Sequence, residues 1–254
     1  MQIKLWSILF LLSTLAACAS TPSEVRQEKK DNEAAEINVQ LAAGYMRRGE
    51  LEVAQEKLLR AIKYDDEYVP AYVTLAVLLT MLDRPEEAEE RYLEALNLDS
   101  KDPDLHNNYG TFLCGIKKYH EAIAEFEQTL RNQFYKTPEV AHANIGYCLL
   151  QTEKPNYKKI EKHLRKALKL RPNMPTAMLA MAEMGVATKQ YLMARAYSQR
   201  LHSFVEPTAH SLWIQIQAEY ALGDKKYFLK VSKVLLDNFP KSDEADKLMG
   251  LSNL

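Results

Sequence analysis

One stretch of this chain, Val69 to Asp102, constrains the fold more than any bulk property, because its pattern returns along the rest of the 254 residues. It reads VPAYVTLAVLLTMLDRPEEAEERYLEALNLDSKD. Apolar or small residues recur at Tyr72, Leu75, Ala76 and Leu79, and again at Ala88, Tyr92 and Ala95. That three-and-four spacing is one face of an α-helix. Asp83, Arg84 and Pro85 separate the two stripes. Pro85 suits a first helical position, where no amide donor is needed, and Glu86 and Glu87 complement the positive end of the helix dipole. The stretch therefore predicts a helix pair. A pair cannot cover its own apolar faces, so it has to be stacked on others like it.

Sliding this unit along the chain recovers it five more times, and the pattern resembles the tetratricopeptide repeat, with its bulky residues, its small residue at position 8 and its alanines at 20 and 27. A first unit places Leu41, Ala42, Tyr45, Gly49, Ala54, Leu58 and Ala61 in register; a third places His106, Tyr109, Gly110, Leu113, Ala122 and Phe126, with Thr129 where alanine is usual. The fourth, after Thr137 and Pro138, has His142, Ile145, Gly146, Leu149, Ile160, Leu164, Ala167 and Pro172, and two extra residues in its turn. The fifth has Met178, Met181, Ala182, Ala194 and Leu201, with Gly185 where a large side chain is expected. The sixth fits most loosely, since Gln215 and Ile216 depart from positions 7 and 8. The units run over 35–68, 69–102, 103–136, 139–174, 175–208 and 209–242, and 243–254 reads as a capping helix. Glycine is scarce, at eight, and valine and isoleucine form no alternating runs, so the chain reads as all-α. The resemblance implies a right-handed superhelix, an α-solenoid of six tetratricopeptide repeats, with the first helix of each unit lining a concave groove.

Residues 1–17 carry one positive charge, Lys4, then an apolar run from Leu5 to Leu12, and read as a cleaved signal peptide. Leu15, Ala16, Ala17 and Cys18 resemble the bacterial lipobox, which implies lipidation of Cys18; Ala19 in place of an aspartate implies the outer membrane, with the folded part facing the periplasm. Residues 18–34 are polar and of mixed charge and read as a lipidated cysteine followed by a tether.

The remaining chemistry is sparse. A net charge of −1 gives no footprint for nucleic acid, and no long basic run seeks a membrane surface. The six histidines show no metal-ligand spacing and there is no glycine-rich phosphate loop, so no enzyme, no cofactor, no metal and no small-molecule substrate are expected. His106 and His142 both occupy position 4, a packing place. Cys114 and Cys148 stand 34 residues apart on the first helices of neighbouring units. They are either a disulfide suited to an oxidising periplasm or two buried thiols.

The groove positions 2, 5, 9, 12 and 13 hold Val39, Ala43, Met46, Val73, Val77, Thr80, Met81, Asn107, Thr111 and Tyr147, with Asn108 and Asn144 beside them at position 6. Later units add Leu150, Leu179, Trp213 and Tyr220. This mostly apolar surface suits a peptide strand or an amphipathic helix. Repeat proteins that clamp an acidic carboxyl terminus use a basic residue and an asparagine where this chain has Val39 and Ala43, which argues against that ligand.

The lipobox, the short tether, six repeats and the closing phrase Leu236, Asp237, Asn238, Phe239, Pro240, Lys241, Ser242 together resemble the PilF/PilW family of type IV pilus biogenesis lipoproteins. The resemblance implies a pilotin-like role: an outer-membrane lipoprotein that binds the pilus secretin and promotes its targeting and multimerisation. The same parts would also build a scaffold for periplasmic cell-wall hydrolases or division proteins.

Overall fold

The computed structural model describes residues 22–251. Among them are thirteen α-helices and no strand. They follow in chain order as six helix–turn–helix segments: α1 (Pro22–Arg47) and α2 (Leu51–Tyr64), α3 (Val69–Met81) and α4 (Pro85–Leu98), α5 (Pro103–Gly115) and α6 (Tyr119–Arg131), α7 (Pro138–Leu150) and α8 (Tyr157–Leu170), α9 (Pro175–Ala187) and α10 (Tyr191–His202), and α11 (Ala209–Leu222) and α12 (Lys225–Asn238); α13 (Asp243–Leu251) follows. The expected signal peptide and the expected lipidation site Cys18 lie outside the described residues. Among the described residues no helix is long and apolar enough to cross a membrane.

Local chemistry sets the boundaries. Proline occupies the start of α4, α5, α7 and α9, and the Asp102 carboxylate caps α5 by accepting from the Asp104 amide at 2.8 Å. The turn inside five of the six pairs is closed by a residue with positive φ at the same place: Gly49, Asp83, Lys117, Lys189 and Gly223. The fourth pair, whose turn is longer, is the exception. A left-handed residue there reverses the chain in the fewest steps and offers its amide to the last turn of the first helix.

The chain divides into two compact units, residues 1–78 and 79–254. In the first, Ala35, Ala61 and Ala71 are fully buried and draw α1, α2 and the start of α3 close together, with Val39, Ile62 and Tyr68 around them. The stretch expected to be a tether is helical from Pro22 onward, and Asn32 donates to the Asp65 carboxylate at 2.9 Å. Polar composition removed the burial signal there but left good helix formers, which extend a helix whose later turns are packed. Leu41 and Ile37 are exposed, at 46% and 55%, although Leu41 holds a consensus packing place. That place packs against the preceding pair, and no pair precedes α1 among the described residues.

In the second unit the departures from the repeat pattern each have a physical cause. Thr129 is fully buried and donates to the carbonyl oxygens of Pro103 and Glu125, so its hydroxyl is satisfied where alanine is usual. Gly185 stands under α10, where a Cβ would lie 2.9 Å from the Ala194 amide nitrogen. Gln215 is buried against His202, whose other ring nitrogen meets the Ser211 hydroxyl. Glu219 is fully buried and held by the Arg195 guanidinium, which also reaches Asp224. The last pair encloses Leu212, Ile216, Val231 and Leu235, and α13 lays Leu248 onto them. Phe239, from the closing Asn-Phe-Pro phrase, packs at the edge of the same cluster, which gives that phrase a role in seating the end of the array.

Candidate protein-binding faces

From the third pair onward the first helices differ from the second in charge. Between them α5, α7, α9 and α11 contain no lysine or arginine. Of their carboxylates, Glu219 is consumed by Arg195. A face of this kind cannot clamp an acidic terminus, and it suits an uncharged or apolar segment.

In the second unit the structure joins three of the expected groove residues. The Asn144 side-chain amide on α7 donates to the Asn107 side-chain oxygen on α5 at 3.3 Å and to the Thr111 hydroxyl at 3.4 Å. Thr111 in turn donates to the Asn107 carbonyl at 2.8 Å, fixing its rotamer. Thr111 and Asn108 are exposed, and Tyr147 presents 40% of its surface. These are carboxamide and hydroxyl groups held at the surface beside an aromatic ring, a combination that can pair with peptide backbone and cover one apolar side chain. Burial raises the Tyr147 pKa, with Glu183 and Tyr119 adding to it, so the phenol is a neutral donor at neutral pH.

Cys114 and Cys148 lie directly under this face, paired as a disulfide with Cα atoms 6.0 Å apart. Cys114 is 8% exposed and Cys148 1%, so the bridge is part of the interior. It ties α5 to α7, the two helices that carry Asn107, Thr111, Asn144 and Tyr147. Thr80 and Met81, at the end of α3, are exposed, Met81 by 52%.

Sequence reasoning did not single out Glu183 and His210. The His210 Nε2 lies 2.7 Å from the Glu183 carboxylate, linking α9 to α11, and that hydrogen bond raises the His210 pKa. Both hold groove positions, 9 and 2 of their units, and the signal was there to be read by listing every unit at those places. Leu179 and Trp213 are half-buried, and Tyr220 is exposed.

In the first unit Val77 is the most open of the expected residues, at 38%. Ala43, Met46 and Val73 are half-buried. Val39 packs against the alanine cluster, so its side chain serves the join between helices and offers little to a partner.

The position-4 histidines both turn inward to their own second helix. His106 Nδ1 meets Glu125 at 2.6 Å, and this hydrogen bond raises its pKa. His142 faces His163. Among the described residues no three histidine, cysteine or acidic side chains are grouped to hold a metal.

Residues 39–103 match the family model of the tetratricopeptide repeat. The type IV pilus assembly protein PilF of Pseudomonas aeruginosa is 30% identical over 222 residues, 86% of this chain and 87% of that protein. An uncharacterised protein of Haemophilus influenzae is 33% identical over 48% of this chain and 68% of its own length. Among solved structures, PilW, described as a widely conserved type IV pilus biogenesis factor, superposes with a TM-score of 0.79 at 28% identity, over 86% of this chain and 99% of its own. The Pseudomonas aeruginosa PilF structure gives 0.76 at 28% identity, over 87% and 99%. With its six helix pairs and this relative matched across nearly its whole length, the chain belongs to the PilF/PilW family of type IV pilus assembly proteins.

Proposed function

We propose that this protein acts in type IV pilus assembly as an outer-membrane lipoprotein, anchored through Cys18, that binds the pilus secretin and promotes its targeting and multimerisation. The observation that carries this reading is the 30% identity to a type IV pilus assembly protein across 86% of the chain. The lipobox of Leu15 to Cys18 supports the anchor, and the cation-free helices α5, α7, α9 and α11 with the Asn107, Thr111, Asn144 and Tyr147 face support a non-enzymatic grip on a protein segment. The action is mechanical. Lipid fixes the address, the face holds a secretin segment until the ring closes, and no bond is made or broken.

Deleting the gene tests it. Secretin multimers, resolved by electrophoresis of envelope proteins without heating, and surface pili are expected to disappear and to return with the wild-type gene. Complementation with Cys18→Ser is expected to restore neither the membrane location nor full multimer yield. Normal secretin rings and pili together with altered cell shape would move the protein to the scaffold role for cell-wall hydrolases or division proteins.

A further inference from the structure

The outward positions of the second helices in residues 79–254 carry a pattern that the binding face does not use. Counted along each second helix, its second and sixth residues are one turn apart on the exposed side. They hold Glu86 and Glu90 in α4, Lys158 and Lys162 in α8, and Lys226 and Lys230 in α12, all exposed. Whole helices follow the same trend. Helix α4 has five glutamates and one arginine, whereas α8 has five lysines and one arginine against one glutamate, and α12 four lysines against one aspartate. The layer is acidic at its beginning and basic at its end, which a net charge of −1 conceals.

Pairing sharpens the asymmetry. In α4, Glu87 is held by Arg84, Glu89 by Lys118 and Glu94 by Arg91, so much of the acidic charge is already answered. In α8 and α12, Lys158, Lys162, Lys166, Lys226, Lys230 and Lys233 have no ion-pair partner among the described residues. Between these two helices in sequence, α10 has no acidic residue and puts Leu192 at the same outward place, 69% exposed. Leu229 on α12 is 56% exposed and Leu170 on α8 51%.

We propose that the outward side of α8, α10 and α12 is a docking surface for an anionic phospholipid bilayer. Unanswered lysines supply attraction to headgroup phosphates, and exposed leucines among them can enter the interface while lysine stems cover its apolar edge. An acidic protein would satisfy the charge as well, but it would not call for large isolated leucines between cation rows. The choice of a bilayer rests also on the anchor reading above, which keeps a membrane within reach of every copy. The contact would set which side of the second unit faces the lipid and leave its first-helix face open to the periplasm.

The test uses the unlipidated chain from Ala19 onward, which keeps every described residue, in sedimentation with large vesicles. Binding is expected to vesicles of phosphatidylcholine with phosphatidylglycerol and not to phosphatidylcholine alone, and to fall as salt is raised. Each lysine near an anionic surface is worth about fivefold in partitioning, so Lys158→Gln, Lys162→Gln, Lys226→Gln and Lys230→Gln combined should lower it by at least tenfold. Leu192→Ser should weaken it further without changing the helical circular dichroism. Absence of binding to the anionic vesicles, equal binding to both vesicle types, or undiminished binding by the combined variant would overturn the proposal. Because the assay contains no lipidated cysteine, its failure leaves the anchor reading intact, and failure to find lipid on Cys18 leaves the assay unchanged.

Discussion

His142 on α7 and His163 on α8 face each other with their Nδ1 atoms 3.1 Å apart, inside the fourth helix pair. One ring must donate and the other accept. The His142 Nε2 is buried without a hydrogen-bond partner among the described residues. A bare lone pair there is less costly than a bare N–H, so His142 donates through Nδ1 and His163 accepts. Burial, reinforced by Lys166, His163 and Lys162, pushes the His142 pKa down to about 4, and burial with Lys159 and Lys162 lowers His163.

The fold therefore prefers the neutral pair, and the sign follows. An unfolded histidine takes up its proton near pH 6.5 while His142 in the fold resists until about 4, so stability from this site is whole above pH 6.5 and drains away as pH falls to about 4. The loss is up to about 3 kcal/mol. The raised His106 and His210 act oppositely, their contribution being full below pH 6.5 and lost as pH rises through their folded values. Denaturant unfolding of wild type and of a His142→Leu, His163→Leu variant across this range separates them. The variant should lose less stability on acidification, and parallel curves would show that the pair does not titrate as described.

The bridge between Cys114 and Cys148, beneath the candidate face on α5 and α7, spans a sequence separation of 34 residues. Protein purified from an oxidising compartment should gain the mass of two hydrogen atoms on reduction, and reduction should lower the unfolding free energy by about 2–4 kcal/mol. Identical intact masses with and without reductant would mean free thiols. Reduction should also loosen α5 against α7, seen as faster amide exchange around Thr111 and Tyr147.

The turn residues Lys117 and Lys189 sit at φ of 65° and 59°, a region that strains any side chain with a Cβ. Lys117→Gly and Lys189→Gly should each stabilise the fold by about 1 kcal/mol in thermal or denaturant unfolding. Gly185→Ala should do the reverse, by about 1–3 kcal/mol, because the added methyl meets the backbone of Ala194. A neutral Gly185→Ala would show that α10 can retreat freely.

Tyr147 and Asn144 provide the sharpest test of the face on α5 and α7. Tyr147→Ala should weaken capture of purified secretin by about tenfold or more, as an exposed aromatic anchor does. Asn144→Ala should lower it less, and neither should shift unfolding by more than about 1 kcal/mol, since the bonds Asn144 makes are long and near the surface. Val77→Glu probes the first unit separately. Unchanged binding in all three would place the secretin contact elsewhere.

The sequence by itself determined the helix pairs, because their signals are local. Proline at a helix start, a left-handed residue at the inner turn and apolar residues three and four apart act within a few positions, and repetition multiplied each signal. Thus Val69–Met81 and Pro85–Leu98 lie where the pattern of Tyr72, Leu75, Ala88 and Tyr92 required them. What a given position faces depends on the neighbouring pair, and only the tertiary structure decided that. It left Leu41 exposed, with no preceding pair among the described residues to cover it, turned Val39 into a packing residue and extended α1 through the polar stretch from Pro22. It also joined Asn144 to Asn107 and His210 to Glu183, 37 and 27 positions apart. The lysines of α8 and α12 make no long run along the chain; stacking puts them in equivalent outward places. Periodicity specifies the face of one helix, whereas a binding surface is assembled from several helices and exists only once they are packed.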